Sequence, residues 1–270
     1  MNLTLEKIEE LSFDIYVNKQ KNAIEKAYIV DRLKNIKKGN KFIYGNGWKG
    51  RDYEGFAIVS MVQNNPNNDV LISFIDRVRK YLQSIMNENS DDFYFLPRES
   101  YHQTVANTLS AQRFHDFIKS KNLEVEYPAM VGEAFTVVPS KVQGRPIEMK
   151  IIGLSVFGSS FGLIGTFEEE RTFKRITQFR DSIYSNPILN VHDVKRTRPF
   201  IGHITLGYFE GQSGLSNESV EVIANKFEAL NDELQELDLS FTISNTELRK
   251  YYDLSEFNTH DLYPSYSFLK

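Results

Sequence analysis

Apolar positions along the chain follow two spacings. Runs rich in Val, Ile and Phe, such as "GFAIVSMVQ" at residues 55–63, predict strands, and apolar residues every three or four positions predict helices. Ile24, Ala27, Tyr28 and Ile36 place a helix over residues 20–36, ahead of "KKGNK". The strand at 55–63 is followed by an asparagine- and proline-rich turn, "NNPNND", whose Asp69 is expected to cap a helix carrying Leu71, Ile75, Val78, Leu82 and Ile85 on one face. Strand is expected from Phe93 to Leu109, helix from Ser110 to Lys121, and strands around Phe135 and Ile151. Residues 139–167 read as strands joined by turns, with "GSSFGLIG" marking a close backbone approach. Val220, Ile223, Ala224, Phe227 and Leu230 predict one more helix.

The order repeats. At an offset of 101 residues, Ile75, Val78, Arg79 and Leu82 align with Ile176, Phe179, Arg180 and Ile183, and His102 aligns with His203. "FTV" from Phe135 resembles "FTI" from Phe241 at a slightly larger offset. Each half then runs strand, helix, strand, helix, strand, and no Pro- or Ser-rich linker divides them. The pattern predicts two lobes of one domain facing each other across a cleft.

The aligned histidines lie in "SYHQTVANTL" (100–109) and "IGHITLGYF" (201–209). Side chains alternate along a strand, so His102 shares a face with Thr104, and His203 with Thr205, while Gln103, Val105, Ile204 and Leu206 take the other face. An imidazole gives or takes a proton near neutral pH, and two of them flanking one phosphorus suffice for phosphodiester chemistry. One takes a proton from the attacking oxygen, the other protonates the leaving oxygen, and the threonine hydroxyls bind non-bridging oxygens. Two histidines without a nearby third ligand do not make a zinc site.

The formal charge of −4 argues against a surface devoted to long nucleic acid, and leaves room for a small anion in a local basic pocket. Without cysteine there is no disulfide, thiolate site or cysteine nucleophile. The N-terminus has acidic residues where a signal peptide needs an apolar core, and no apolar run approaches a membrane span, so the chain is expected to be cytoplasmic. In "KRTR" (195–198), Arg198 suits a phosphate, the alternative being an exposed loop. Arg98 and Ser100 share the face of His102 unless "PRES" is a turn that breaks the parity. "YGNGWKGRDYEG" (44–55) reads either as a lid stacking a base on Trp48 or Tyr53, or as a surface loop with one buried aromatic. His115, His192 and His260 read as structural or solvated.

"HQTV" and "HITL" resemble the paired His-x-Thr/Ser-hydrophobic signature of the 2H phosphoesterase superfamily, which includes 2′-5′ RNA ligase-like proteins and cyclic phosphodiesterases. The resemblance runs from about Gly39 onward. "GNKF", "YEGFAIVSMV", "FLPRESYHQTV" and "RPFIGHITLGYF" are most similar to a bacterial branch known only as a domain of unknown function. It implies an α+β, bilobal, pseudo-two-fold fold: two antiparallel-sheet lobes, roughly 53–140 and 147–268, with outer helices around a cleft. It implies a site free of metal and cofactor, with catalytic roles for His102, Thr104, His203 and Thr205. Residues 1–38 form a helical extension absent from the minimal fold, whose options are to cover the cleft, contact another subunit or pack on the back. The expected function is metal-independent phosphodiester hydrolysis on a small nucleotide or an RNA end, a 2′,3′-cyclic or 2′,5′-linked phosphate leading. The alternatives are a nucleotide-binding module with little turnover and an RNA ligase-type activity.

Overall fold

A computed structural model describes residues 8–37, 39–86, 93–210 and 215–270, apart from the side chains of residues 85 and 86. Ile85, expected on a buried helix face, and residues 1–7 and Lys38 of the extension therefore lie outside the described residues.

The chain begins with α1 (Phe13–Ala23) and α2 (Lys26–Lys34), then a small hairpin of β1 (Phe42–Gly45) and β2 (Gly47–Gly50). There follow β3 (Gly55–Met61), α3 (Asp69–Met86), β4 (Phe93–Phe95), β5 (His102–Ser110), α4 (Ala111–Phe117) and α5 (Tyr127–Thr136). Next come β6 (Ile147–Phe157), β7 (Ser160–Thr166), α6 (Glu170–Tyr184), α7 (Pro187–Asn190) and β8 (His203–Phe209). The chain closes with α8 (Asn217–Glu236), β9 (Ser240–Ile243), β10 (Asn245–Tyr251) and β11 (Ser265–Ser267). The fold is mixed α+β. One antiparallel sheet has the order β11-β10-β3-β5 and a second the order β4-β8-β7-β6-β9.

β3 and β7 are buried along their whole lengths, which is why "GFAIVSM" and "SFGLIGT" are almost continuously apolar rather than alternating. The paired helix positions behave as their offset predicts: Ile75, Val78 and Leu82 on α3, and Ile176, Phe179 and Ile183 on α6, are all buried. Each such side chain contributes roughly 1.5–3 kcal/mol through burial, so these rows hold the helices to the sheets. Gly158, at φ 64°, makes the tight turn between β6 and β7.

Several elements differ from the sequence pattern. The helix expected over residues 20–36 is two helices, broken where the Ile24 and Glu25 N–H groups donate back to Lys21 and Asn22. The first helix starts upstream at Phe13, because its buried face is Tyr16, Gln20 and Ala23, one of them polar. Asp69 is the first helical residue rather than a cap; a 3₁₀ turn, Pro66–Asn68, leads in, and Asn65 accepts from the Asn67 N–H. Phe135 lies in helix, not strand: Pro128 sits in the first turn of α5, and Tyr127, Val131, Ala134 and Phe135 form one buried face. The match of "FTV" to "FTI" therefore relates a helix to strand β9.

Sheet membership also crosses the two sequence halves. β4 joins the second sheet beside β8, and β10 joins the first beside β3 with β11 on its outer edge. The crossing occurs at Ser244, the single residue between β9 at the edge of one sheet and β10 inside the other. The segments 53–140 and 147–268 thus do not each correspond to one sheet, because strand pairing is decided by partners far apart in the chain.

The described part of the extension packs on the second sheet. The Tyr16 hydroxyl donates to the Gly165 carbonyl at 2.9 Å, and the Gln20 amide donates to the Gly165 and Gly202 carbonyls at 2.7 and 2.8 Å. Tyr16 stacks on Phe173. No residue of α1 or α2 lines the cavity described next.

Candidate active site

β5 and β8, the strands of the two repeated motifs, pair with β3 and β7 respectively, and they lie against each other where the two sheets meet. Buried Gln103 links them. Its amide donates to the Ile201 carbonyl at 3.1 Å, and its carbonyl accepts the His203 backbone N–H at 2.7 Å. On the face opposite His102, Gln103 thus acts as an inter-strand clamp whose polar head is satisfied by the other motif.

Between the strands lies a cavity of about 450 Å³. It brings together His102, Thr104, His203 and Thr205 with Tyr53 and Arg198. Three residues expected near a substrate are placed elsewhere. Arg98 lies in a 3₁₀ turn, Arg98–Ser100, with Nη1 3.4 Å from Asp76 on α3. Ser100 is fully buried, and its hydroxyl donates to the Pro97 carbonyl. That turn breaks the strand parity that would have carried both to the face of His102. Trp48 sits in the β1–β2 hairpin with its ring against Tyr44 and Tyr94 and does not line the cavity.

Each histidine is held the same way. The His102 Nδ1 lies 2.6 Å from the Ser100 carbonyl, and the His203 Nδ1 lies 3.0 Å from the Ile201 carbonyl. A carbonyl only accepts, so Nδ1 carries the proton in both rings and Nε2 is left for chemistry. The Thr104 hydroxyl is 3.1 Å from the His102 Nε2. Phe257 packs on the His102 ring at 4.1 Å between centroids, and Phe157 meets the His203 ring edge-on at 5.0 Å.

Burial pushes His102 down to about 4, against the Ser100 carbonyl bond, which favours its charged form. Burial, the nearby Arg198 charge and, to a smaller degree, His102 push His203 down to about 3. Both rings are therefore neutral at pH 7 when the cavity holds no anion.

Other cavity residues were not visible from alternation, because both motif strands are bulged. Val105 is skipped between the pairs Ile58↔Ala106 and Val59↔Thr104, and Leu206 between Phe161↔Gly207 and Gly162↔Thr205. The skipped residues are themselves 101 apart. Each bulge shifts the parity by one, so Asn107 and Tyr208, rather than Ala106 and Gly207, face the cavity. A second slip on β5, at Thr108, returns Ser110 to the cavity. Gly162 permits the approach at Thr205: a Cβ there would collide with the Ile204 carbonyl and the Thr205 Cα. Lys41, Phe157, Tyr251 and Phe257 arrive from elements distant in sequence, and no local signal marks them.

Of "KRTR", Lys195 pairs with Asp193, and Arg196 with Glu10 and Asp181, so only Arg198 turns to the cavity. No Asp or Glu lines the cavity among the described residues. Its polar groups are two histidines, Lys41, Arg198, Asn107 and hydroxyls, a donor set suited to an anion. Among the described residues no group of three or more His, Cys, Asp or Glu is placed to hold a metal ion. A larger cavity, about 950 Å³, lies elsewhere between mixed charges including Glu148, Lys150, Glu168 and Arg171, and borders neither motif. No described helix is long and apolar enough to cross a membrane.

No family model and no curated protein matches the sequence. Among solved structures, a conserved protein of unknown function from Agrobacterium tumefaciens is similar, with a TM-score of 0.56 at 15% identity over 88% of this chain and 98% of that one. Usb1 of Kluyveromyces marxianus aligns with a TM-score of 0.38 at 15% identity over 76% of this chain and 95% of that one. The chain shares the fold of the Agrobacterium protein.

Proposed function

We propose that the protein is a metal-independent phosphodiesterase of the 2H type, acting on a nucleotide or RNA-end phosphodiester, with a 2′,3′-cyclic or 2′,5′-linked phosphate as the leading substrate. The observation that carries this reading is the pair of imidazoles, each fixed through Nδ1 on its own motif strand, in one cavity with no carboxylate among its described lining residues. The correspondence of motif strands, preceding helices and bulges supports a pseudo-two-fold relation between the halves.

For a cyclic phosphate, water attacks phosphorus as one Nε2 takes its proton, a P–O bond to the ribose breaks, and the other Nε2–H protonates the departing oxygen. Thr104 and Thr205 donate to the non-bridging oxygens. The depressed pKa values favour this use. One negative charge about 4 Å away, at an effective dielectric constant of about 20, is worth on the order of 4 kcal/mol, or about 3 pK units. The substrate thereby raises the acid into its working range. Arg198 disfavours charge on His203, which makes His203 the base and His102 the acid.

A panel of 2′,3′-cyclic mononucleotides, 2′,5′-linked adenylates and cyclic dinucleotides, incubated with EDTA, tests the activity. The expected result is hydrolysis of at least one compound, reduced about 100-fold or more by His102→Ala or His203→Ala. Tight binding without turnover would support a binding module instead, and activity abolished by EDTA and restored by zinc would overturn the mechanism. A nitrophenyl ester, whose leaving group needs little protonation, separates the roles: His102→Ala should lose much less rate on it than on the natural linkage, and His203→Ala equally much on both.

A further inference from the structure

We propose that Lys41, Tyr53 and Arg198 form a second phosphate subsite beside the reaction centre, so that the preferred substrate carries a further phosphate on the same nucleoside, away from the linkage that is cleaved. This rests on the phosphodiesterase reading for what occupies the other end of the cavity.

The four motif side chains already serve one phosphodiester, which bears a single negative charge. Lys41 and Arg198 are additional cations on the same cavity, and neither forms an ion pair among the described residues. In a chain of net charge −4, two cations without a direct ion pair, on a cavity with no Asp or Glu among its described lining residues, call for an anionic partner. Both converge on one phenol. The Lys41 Nζ lies 3.1 Å from the centroid of the Tyr53 ring. Burial alone would raise the Tyr53 phenol, yet the Ser110 hydroxyl, Lys41 and then Arg198 bring it below its ordinary value. Lys41 is positioned from behind: the backbone N–H groups of Lys41 and Phe42 donate to the Glu210 carboxylate at 3.1 and 3.3 Å.

The space continues past these residues. A recess of about 250 Å³ shares Tyr53, Asn107, Ser110, Arg198 and Tyr251 with the reaction cavity and likewise has no Asp or Glu among its described lining residues. Its one further cation, Arg113, is tied to Asp193 at 2.8 Å, which leaves Arg198 as the free charge between the two spaces. A reaction cavity of about 450 Å³ has room for a nucleoside monophosphate. Lys41, Tyr53 and Arg198 all line that cavity, which places the second phosphate at the end of it that opens past Tyr53 and Arg198 into the recess.

Calorimetric titration of the full chain with adenosine 3′-monophosphate, adenosine 5′-monophosphate and adenosine 3′,5′-bisphosphate tests the subsite without requiring turnover. The bisphosphate should bind at least about tenfold more tightly than either monophosphate. Lys41→Met and Arg198→Gln, both at solvent-accessible positions, should each cost the bisphosphate far more affinity than the 3′-monophosphate, and so remove most of that advantage, with the melting temperature unchanged. Equal affinity for mono- and bisphosphate overturns the proposal. So does an Arg198→Gln loss of the same size on every ligand, which would assign Arg198 to the reacting phosphate. A diadenylate bearing a 3′-phosphate distinguishes the source: an advantage kept when the second phosphate is an internucleotide diester indicates an RNA end, and one confined to the bisphosphate indicates a mononucleotide. A wild-type protein that keeps the bisphosphate preference but hydrolyses no cyclic or 2′,5′-linked phosphate overturns the phosphodiesterase reading and leaves the subsite standing.

Discussion

Replacing Gln103 by Met keeps much of the side-chain volume and removes the link between the motif strands. Three hydrogen bonds go: to the Thr104 carbonyl at 2.7 Å, to the Ile201 carbonyl at 3.1 Å, and from the His203 N–H at 2.7 Å. Their costs differ. The Ile201 carbonyl still accepts the His203 Nδ1–H, so that loss is a net hydrogen bond of about 1 kcal/mol, and the Thr104 loss is similar. The His203 N–H loses its side-chain partner beside fully buried Gln103, at about 1–3 kcal/mol. The sum is about 3–5 kcal/mol, partly offset by the apolar replacement, so a net loss of about 3 kcal/mol is expected. In a chain of this size that corresponds to roughly 6–12 °C in melting temperature. Because the clamp also sets the spacing of the two imidazoles, a displacement of about 1 Å should cost about 100-fold in single-turnover hydrolysis of a 2′,3′-cyclic mononucleotide. The His203 amide resonance should move in a ¹⁵N-resolved spectrum. Gln103→Glu keeps the acceptor and loses the donor, and at pH 7 its carboxylate faces the Ile201 and Thr104 carbonyls, so it should not rescue activity. A Gln103→Met protein within about 0.5 kcal/mol of wild type and within twofold in rate would refute the clamp.

Three further outcomes follow from the same geometry. Glu10 is a largely shielded carboxylate, its side chain 10% exposed, between Arg180 at 2.6 Å and Arg196 at 3.1 Å, so Glu10→Gln should destabilise by about 2–4 kcal/mol in chemical denaturation. The folded-state pKa values of His102 and His203, about 4 and about 3, lie below the unfolded value of about 6.5. Between those limits the unfolded chain binds more protons, so stability falls as pH drops from about 6.5 toward 4; the double variant His102→Asn/His203→Asn should flatten this slope in melting curves, and an unchanged slope would count against the depressed values. For rates, the acid must be protonated in the free enzyme for kcat/KM and in the complex for kcat. Since a bound phosphate raises its pKa, the alkaline limb of kcat should lie at higher pH than that of kcat/KM, and coincident limbs would show that the anion does not tune the acid.

The motif residues are legible in the sequence because alternation is a local rule: His102 with Thr104, and His203 with Thr205, needed only a strand to share a face. The rule fails where register with another strand intervenes. Asn107 and Tyr208 reach the cavity only because β5 and β8 slip against β3 and β7, and Ser110 keeps the parity of His102 only because two slips on β5 cancel; a bulge is a relation between two strands that one strand's pattern does not encode. Arg98 and Ser100 fail for the opposite reason, since a 3₁₀ turn immediately before β5 replaces the strand their parity assumed. "FTVV" at Phe135 suits a strand by its aromatic and β-branched content, and the helix forms there because Pro128 opens it and Tyr127, Val131, Ala134 and Phe135 fall on one buried face. Lys41 and Phe257 are brought in by long-range packing and carry no mark of it in their neighbourhoods.

The two motifs, alike in backbone, are held in place by unlike means. The segment before His102 is held by itself: the Ser100 N–H and hydroxyl both bond to Pro97, and the Tyr101 N–H bonds to Arg98. The segment before His203 has no such turn and borrows its supports. The Phe200 N–H donates to Glu10 at 2.6 Å, Arg180 donates to the Arg198 carbonyl at 2.9 Å, and the Gly202 carbonyl accepts from Gln20. Two of those three supports belong to the N-terminal extension. A side chain on Gly202 would collide with the Tyr16 hydroxyl and the Gly165 carbonyl, so the extension and the motif are fitted to each other at van der Waals contact. Arg180 adds a bond to the Val105 carbonyl of the first motif, and so joins the extension's carboxylate to both motif strands at once. The described part of the extension lines no part of the cavity and instead fixes the backbone that presents His203 and Arg198.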